Sequence, residues 1–558
     1  MTTEAHGRPV LHARQIRLLM FGLMTGMLLA ALDQTIVGTA LPTIVGELGG
    51  INHYSWVVTA YLLASTASTP LYGKMADLYG RRPVFLFSIG TFLLGSLLAG
   101  LSQNMTQLIL TRGVQGLGAG GLMTLAFTII SDVVSPRERG RYQGLFGAVF
   151  GLSSVAGPLV GGYFAETNWR WIFYINVPLA ILAIVVCYHV MRLIPFQRRE
   201  HAIDWLGAGL LVAGVSCLLL GLSWGGNQYA WSSGVIIGLF VAGAVLGVLF
   251  VLQEARVPEP ILPLRLFRSP TFALANSAGF VLGLVMFGSI IFIPLYLQIV
   301  KGASPTRSGL LMLPMMAGII ITSVLTGRAM SRIGRYKWFP VAGSAVLVAG
   351  MLLFTRLAVD TSLWVAFGYM VVIGVGLGLC MQSLILAVQN AVSVRDLGAG
   401  TSSATFFRSL GGSFGVAILG AVLSSQLTDQ LAARLPGAIA QLPPDQRAAV
   451  AARGGANISI NDPATILALP GPVRAAIQAA FVESLHLVFL TTGLIAILAV
   501  LVTLALPNDQ LRGAGPQGAT GGADPLGGKA AAPGGKPLTK ESKEEAAADM
   551  EAKSQTML

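Results

Sequence analysis

The sequence predicts an all-α protein that crosses a membrane many times. Of its 558 residues, 54% are hydrophobic and only 11% are charged, whereas a soluble protein carries roughly 25% charged residues. The apolar residues form fourteen stretches, each close to the ~20 residues that a helix needs to cross a bilayer. The predicted spans are 17–38, 54–73, 83–102, 107–131, 141–165, 171–191, 205–224, 233–253, 271–299, 307–327, 338–356, 362–388, 400–426 and 482–506.

The basic residues predict on which side of the membrane the termini lie. An even number of spans places both termini on one side. If that side is the cytoplasm, the inner loops and the N-terminal segment hold 20 Lys and Arg residues, and the short outer loops hold 4. Cytoplasmic loops carry an excess of Lys and Arg, so we expect both termini in the cytoplasm. The net charge of +12 then reflects topology rather than nucleic-acid binding.

An internal repeat divides the spans into two bundles. The stretch Gly73 to Arg82 follows the second span, and Gly327 to Arg335 follows the tenth with the same glycine spacing. Short loops in corresponding places are typical of transporter repeats. The predicted organisation is a cytoplasmic segment at 1–16, a six-helix bundle at 17–191, an inserted helix pair at 205–253, a six-helix bundle at 271–506 and a disordered cytoplasmic tail at 507–558. The second bundle includes an Ala- and Pro-rich outer loop at 427–480, expected to hold short helical stretches at best.

A carboxylate lies inside the first predicted span. Asp33 is the one of the 24 Asp and Glu residues that lies well within an apolar segment. An ionised side chain at membrane depth is costly and usually marks a functional site. The alternative is an acid held only by a neighbouring Ser or Thr.

An arginine in the fourth predicted span can pair with this acid. At about 1.5 Å per residue, Arg112 and Asp33 lie at similar depth in the outer half of the membrane. Gly116 and Gly120 share the helix face of Arg112, and small residues at this spacing let another helix come close. We predict a direct or water-bridged pair. The alternative is that Arg112 extends to the membrane surface alone.

The loop Gly73 to Arg82 carries the pattern G-x-x-x-D-x-x-G-R-R. Its glycines permit a tight turn, and its aspartate can cap the N-terminus of the thirteenth span near 398–401. Its arginines can reach carboxylates or lipid phosphates. These contacts would close the cytoplasmic side, although an ordinary basic turn is the alternative. The predicted gate residues are Gly73, Asp77, Gly80, Arg81 and Arg82.

The fifth predicted span carries glycines at four-residue spacing and an internal proline. Such glycines pack closely against another helix, and the proline bends the span. Tight packing without a functional role explains the glycines equally well. The residues are Gly151, Gly157, Pro158 and Gly161.

These motifs together resemble the major facilitator superfamily. The resemblance rests on 32–42 (LDQTIVGTALP), Gly73 to Arg82, Arg112 to Gly121 and Gly151 to Gly162, and it covers about 15–506. The first motif and the fourteen spans resemble its 14-helix drug:proton antiporter branch, although Gly38 stands where many relatives have Asn.

The resemblance implies a fold, a mechanism and residue roles. It implies two pseudo-symmetric bundles, alternating access, proton-driven export and no ATP site. It also implies that Asp33 and Arg112 serve proton coupling, that Gly73 to Arg82 form the inner gate, and that Gly151 to Pro158 set the antiport geometry.

Other polar and flexible side chains are predicted to line a substrate cavity. Methionine adapts to irregular apolar ligands, although most Met and Phe at helical spacing are ordinary packing. The candidates are Gln34, Asn276 and Gln382 as polar groups, with Met27, Met123, Met286, Phe287 and Met316 as apolar lining.

Three further polar residues have weaker interpretations. Arg408 lies in the thirteenth span without an acid in a neighbouring span, and a structural role with carbonyls, Gln382, Gln389 or a lipid phosphate is favoured. Glu483 and His486 share a helix face at the outer end of the last span, where an interfacial position is favoured over a proton site.

We therefore predict a proton-coupled antiporter of the cytoplasmic membrane that exports lipophilic or amphipathic small molecules. Its expected partners are the substrate, protons and the bilayer. We expect no nucleic acid, cofactor or metal, and a monomer driven by the proton gradient. One deep acid predicts one proton per cycle and neutral or monovalent substrates. The cysteines Cys187, Cys217 and Cys380 lie in apolar spans, so no disulfide is expected.

Two alternatives to drug export stay open. The nearer one is a dedicated exporter of a metabolite or lipid. A membrane-embedded lipid enzyme or a channel is disfavoured. No two acids and no Cys/His cluster share a span interior, and the sequence carries no ring of repeated charges.

Overall fold

The backbone is helical throughout, apart from turns. The computed structural model describes residues 12–48, 54–134, 136–193, 204–226, 228–393, 396–444, 446–447 and 469–511. Within these ranges, two isolated β-bridges, Gly225 with Tyr229 and Arg335 with Gln510, are the β-structure present. A helix satisfies its own backbone hydrogen bonds, as the interior of a bilayer requires. The prediction of an all-α membrane protein is confirmed.

Seven α-helices make up the described part of the first bundle. The break between the last two of them, at Ile175, interrupts the predicted span 171–191. The helices are α1 (Ala13–Leu48), α2 (Tyr54–Tyr79), α3 (Arg81–Gly100), α4 (Met105–Val133), α5 (Pro136–Thr167), α6 (Trp171–Tyr174) and α7 (Asn176–Val190), followed by a 3₁₀ turn at Met191–Leu193.

Nine α-helices follow in the described part of the remaining chain. The inserted pair is α8 (Trp205–Trp224) and α9 (Gly234–Glu254). A 3₁₀ turn at Leu264–Arg268 precedes the second bundle, and a π-helical turn at Tyr296–Val300 extends α10. The second bundle holds α10 (Pro270–Leu295), α11 (Pro305–Leu311), α12 (Leu313–Ile333), α13 (Trp338–Phe354), α14 (Leu363–Ala391), α15 (Leu397–Ala440) and α16 (Gly471–Leu504).

Eleven helical segments in the described ranges are long and apolar enough to cross a membrane. The helices α2, α5 and α13 occupy predicted spans but are not among the eleven. Helix α13 has 17 residues, and α2 carries the polar run Ser65–Thr69. The exact number of fourteen spans therefore stays a prediction.

The two bundles meet along two helix pairs, and the inserted pair flanks one of them. Helix α2 packs against α15, and α5 packs against α12. The buried cluster beside the α2–α15 pair contains Ala67 of α2, Leu211 and Val215 of α8, and Phe406 of α15. Helix α9 lies farther out and is mostly exposed, as expected for a helix that faces lipid.

The prediction of a loop at 427–480 is wrong at both ends. Helix α15 continues to Ala440 and α16 begins at Gly471. The two helices stay packed together beyond the predicted spans. Leu427 and Leu435 of α15 are buried in one cluster with Val473 and Ile477 of α16. Residues 448–468 lie outside the described ranges.

The predicted terminal segments also need correction. Helix α1 begins at Ala13, inside the segment 1–16 that was expected to be outside the membrane helices. The predicted disordered tail begins with ordered residues, because Leu511 is buried and its N–H donates to the Gly334 carbonyl at 2.9 Å. The described residues do not include 1–11 or 512–558.

Candidate functional site

Asp33 and Arg112 form an ion pair in the interior of the first bundle. The Asp33 Oδ2 and Arg112 Nη1 atoms are 2.5 Å apart. Asp33 is 0% exposed and Arg112 is 1% exposed. The predicted pair is therefore direct, and the alternative in which Arg112 extends alone to the surface is wrong. Helix α4 can approach α2 closely here because a Cβ at Gly116 would lie 2.9 Å from the Cα of Tyr61.

Two amide side chains complete the surroundings of the Asp33 carboxylate. Gln115 Nε2 donates to Oδ1 at 2.8 Å, and Asn176 Nδ2 donates to the same oxygen at 3.3 Å. Gln115 also accepts from Arg112 at 2.7 Å. These contacts join α1, α4 and α7 at one point.

An aromatic ring packs against the arginine of this pair. The Arg112 guanidinium lies 4.2 Å from the centroid of the Tyr61 ring, and the Tyr61 hydroxyl donates to the Ala30 carbonyl at 3.2 Å. Sequence reasoning missed Gln115, Asn176 and Tyr61. The position of Gln115 three residues after Arg112, on the same helix face, was the one available signal.

The predicted gate loop closes the end of the bundles where α1 begins and α2 ends, called here the terminus side. The Ala399 N–H of α15 donates to Asp77 Oδ2 at 3.0 Å, which confirms the predicted cap across the groove. Asp77 also pairs with Arg81, whose Nε donates to Asp132 at 2.6 Å. The carboxylate fits the positive end of the α15 helix dipole.

The prediction of a loop from Gly73 to Arg82 is wrong in extent: α2 continues to Tyr79 and α3 begins at Arg81, so the turn is confined to Gly80. Both glycines of the pattern are nevertheless required sterically. A Cβ at Gly73 would lie 2.6 Å from the Cβ of Ser402 and 2.7 Å from the Gly398 carbonyl oxygen, so α2 and α15 can touch only without one. Gly80 has a φ of 97°, which side-chain-bearing residues rarely adopt. The second arginine, Arg82, stacks on Tyr188 at 4.3 Å rather than pairing with a carboxylate.

The second copy of the loop keeps the glycine spacing and lacks the carboxylate. Both copies end their helix at a glycine with positive φ, but Gly334 is left-handed (φ 74°, ψ 15°), whereas Gly80 has a φ of 97° and a ψ of 151°. Ser331 stands in place of the aspartate and donates to the Gly327 carbonyl within its own helix at 2.9 Å. The second copy therefore has a hydroxyl in place of the carboxylate that forms the Asp77 cap.

The glycines of α5 face two different partners. A Cβ at Gly151 would collide with Ile320 of α12, whereas one at Gly161 would lie 2.8 Å from the Ile36 carbonyl oxygen of α1. Gly157 packs against Thr35 of α1. Helix α5 thus packs against both bundles. Pro158 lies within α5, but its side chain is outside the described residues, so the predicted bend stays a prediction.

A central cavity of about 1180 Å³ lies between the bundles. Its lining extends from Arg408 to Thr59, Ser223 and Asp429, which lie toward the end opposite the terminus side. The residues of the Asp77 cap are not part of the described lining, so the cavity lies toward the end opposite the terminus side.

Five of the eight predicted lining residues line this cavity: Gln34, Met123, Met286, Phe287 and Met316. The other three face helix interfaces instead. Met27 is fully buried in the first bundle's core, Asn276 donates to the Phe272 carbonyl at 2.8 Å, and Gln382 is 1% exposed and outside the lining. Asp33 does not line the cavity either, although its partner Arg112 does.

The weaker interpretations have mixed outcomes. Gln389 bonds to Thr401 and Phe127 and does not reach Arg408, which lines the cavity. The predicted structural role of Arg408 therefore has no support among the described contacts. Glu483 is exposed and His486 contacts the Leu357 carbonyl at 2.5 Å, which fits an interfacial position.

One carboxylate at the other end of the molecule shows an electrostatic effect of its neighbours. Glu47 accepts from Arg170 at 2.7 Å and from Trp169 at 2.8 Å. These two hydrogen bonds, that of Arg170 first, lower the pKa of Glu47. The contacts tie the end of α1 to the connection between α5 and α6.

Two helical bundles around a central cavity, with an ion pair buried beside it, define a membrane transporter rather than an enzyme. The family model described as Major Facilitator Superfamily matches residues 23–416. The chain belongs to this family.

Similar proteins, two of them named as multidrug proteins, match most of the chain. The chain is 41% identical over 496 residues to the multidrug transporter protein MdtP of Bacillus subtilis, covering 86% of this chain and 91% of the relative. It is 39% identical over 419 residues to multidrug resistance protein 3 of the same organism, covering 74% and 81%. An uncharacterised MFS-type transporter of Mycobacterium tuberculosis is 42% identical over 503 residues, covering 90% and 71%.

Solved structures share the fold. A double tryptophan mutant of XylE matches with a TM-score of 0.59 at 13% identity, covering 89% of this chain and 97% of that one. The human transporter MFSD10 matches with a TM-score of 0.58 at 14% identity, covering 87% and 99%. At these identities the likeness supports the fold alone.

Proposed function

We propose that this transporter is a proton-coupled antiporter that exports lipophilic or amphipathic small molecules across the cytoplasmic membrane by alternating access. The observation that carries this proposal is the Asp33–Arg112 pair, buried beside the central cavity. The names of the B. subtilis relatives support multidrug export. Both termini are cytoplasmic in this proposal, as the distribution of basic residues favours.

Asp33 is the proton-binding group in this proposal. Its carboxylate accepts from donors on α4 and α7, and hydrogen bonds to an ionised acceptor are stronger than those to a neutral one. Protonation therefore weakens the attachment of α1 to both helices. The proton state of one side chain then biases the arrangement of three helices, which is how proton binding couples to a conformational change.

The Asp77 cap is the gate on the cytoplasmic side. The contact between Asp77 and the N-terminus of α15 joins the two bundles, and it must break before a substrate can enter from the cytoplasm. With the termini inside, the described conformation is open toward the outside. Binding from the cytoplasm and release to the outside then require two states of the same cavity.

The test is gradient-driven transport by the purified protein. Inverted proteoliposomes with an acidic interior should accumulate the neutral fluorescent lipophile N-phenyl-1-naphthylamine, and nigericin, which collapses the pH gradient, should stop accumulation. Protein-free liposomes correct for passive partitioning. Equal accumulation with and without the pH gradient would contradict proton coupling.

A further inference from the structure

Arg408 is a buried cation on the wall of the central cavity. The residue is 7% exposed and lines the cavity beside Thr405 and Ser409. Among the described residues, Arg408 has neither a hydrogen bond nor an ion pair through its side chain. Its helix is fixed by close packing, because a Cβ at Gly411 would lie 3.0 Å from the Phe280 Cα of α10.

The charge of Arg408 is not balanced by the other charged groups of the cavity. Within the described lining, these are Arg112, which is paired with Asp33, and Asp429. Asp429 lies 21 residues after Arg408 on α15, a distance of about 30 Å at 1.5 Å per residue. That exceeds the roughly 8 Å screening length at physiological salt, so Asp429 cannot neutralise Arg408.

An unbalanced cation inside a membrane protein is costly to keep. Ionised side chains at this depth are normally paired or face a substrate pathway. The guanidinium offers five N–H donors in a rigid fork that matches carboxylate, sulfonate and phosphate groups. The nearby apolar lining, which includes Met286 and Phe287, suits the hydrophobic part of an amphiphile.

We propose that Arg408 binds the anionic group of an amphipathic organic substrate whose apolar part lies in the same cavity. This inference rests on the proposed export function and names its substrate class. It adds monovalent anions to the neutral and monovalent substrates expected from the sequence. The chemistry recognised is a single carboxylate, sulfonate or phosphate attached to an apolar body.

A matched pair of fluorescent probes tests this proposal by equilibrium binding. The anionic probe is 1-anilinonaphthalene-8-sulfonate, and N-phenyl-1-naphthylamine has the same ring system without the sulfonate. Binding is measured in phosphatidylcholine nanodiscs without a proton gradient, and empty nanodiscs give the background. Arg408→Gln should weaken binding of the sulfonate about 10-fold or more, as expected for a lost charge-assisted hydrogen bond, and should leave binding of the neutral probe within twofold.

Two control variants and one wild-type measurement complete the design. Arg408→Lys retains the charge but not the guanidinium fork, so it should bind the sulfonate more tightly than Arg408→Gln and more weakly than the wild-type protein. Arg434→Gln removes a positive charge from the same helix, outside the described cavity lining, and should change neither affinity. If Arg408→Gln does not fold, wild-type protein decides: 1-naphthalenesulfonate should displace the anionic probe, and 1-naphthalenemethanol at the same concentration should not.

The outcomes separate this inference from the proposed function. An unchanged sulfonate affinity in Arg408→Gln, or equal weakening of both probes, overturns the anion site. In wild-type protein, equal displacement by the sulfonate and the alcohol does the same. Loss of gradient-driven transport with the Arg408-dependent difference intact overturns the proposed antiport and leaves the site standing.

Repeating the measurement with phosphatidylglycerol in the nanodiscs identifies the source of the anion. Competition by this lipid supports the site and assigns a lipid headgroup as its occupant. Unchanged binding supports the site and assigns a small amphiphile.

Discussion

Each bundle has one buried arginine in the described cavity lining, and the surroundings of the two differ. Arg112 in the first bundle has a carboxylate 2.5 Å away, donates to the Gln115 amide oxygen and has an aromatic ring against its face. Arg408 in the second bundle lines the cavity without a carboxylate among its described neighbours. A buried carboxylate paired with an arginine can bind and release a proton and so change the contacts between helices. A buried charge without one is available to a ligand.

The two copies of the gate loop show the same contrast, because the carboxylate of the first copy is replaced by a serine in the second. Both end their helix at a glycine with positive φ, Gly80 and Gly334, but the first copy carries Asp77, which caps a helix of the other bundle, and the second has Ser331 at that position. The repeat therefore keeps the glycine, and the carboxylate that joins the bundles belongs to the first copy. In both comparisons the carboxylate lies in the first bundle.

The largest expected effect comes from removing the carboxylate of the first bundle. We predict that Asp33→Asn lowers gradient-driven efflux in proteoliposomes to the level of protein-free liposomes, because the asparagine keeps the shape and cannot bind a proton. The protein should still fold, since the asparagine oxygen can still accept from Arg112, which keeps its contacts with Gln115 and Tyr61. Proton-coupled efflux at the wild-type rate would show that another group carries the proton.

The second prediction compares the two arginines by stability. Arg112→Gln leaves the Asp33 carboxylate buried without its cation, so at neutral pH we expect a loss of about 3 kcal/mol or more. Arg408→Gln removes an unpaired buried charge and should be neutral or stabilising. Unfolding by denaturant in the same detergent measures both.

The double variant Asp33→Asn with Arg112→Gln is the control for this comparison. It should recover much of the stability lost in Arg112→Gln, because no buried charge is left unpaired. Equal losses for Arg112→Gln and Arg408→Gln would mean that the presence of a partner does not distinguish the two sites.

The smallest expected effect concerns the gate loops. Asp77→Asn removes the ion pair with Arg81 and keeps an oxygen that can accept from Ala399. We therefore expect turnover to fall a few-fold while substrate affinity changes less than twofold. Ser331→Ala at the corresponding position of the second copy is the matched control and should change neither quantity. If affinity and turnover fall together in Asp77→Asn, the residue supports folding rather than gating.

The sequence predicts well those sites at which a charged residue lies in an apolar helix or within a recognisable motif. Asp33 and Arg112 are charged residues in apolar helices, so both stand out, and helix geometry places them at one depth. Asp77 lies in a short motif whose two glycines predict a tight turn beside it. The repeat of that pattern at Gly327 predicts the two bundles.

The remainder depends on contacts between segments that are far apart in the chain. Asn176 reaches Asp33 from 143 residues away, and nothing near it in the sequence indicates that contact. Met27 and Met123 look alike in sequence, yet one is in the bundle core and the other lines the cavity, because helix rotation decides which face is buried. The unpaired state of Arg408 appears only once its neighbours are known.

The continuation of α15 beyond the membrane has a mechanical consequence. Its 44 residues span about 66 Å at 1.5 Å per residue, more than twice the ~30 Å hydrocarbon thickness. The same helix carries Thr401 beside the Asp77 cap, Arg408 in the cavity and, after Pro436, Ala440 at its far end. A tilt about the level of Arg408 that separated its first turn from Asp77 would move its far end through a larger arc in the opposite direction. A spectroscopic label at that end would then report the tilt without touching the substrate.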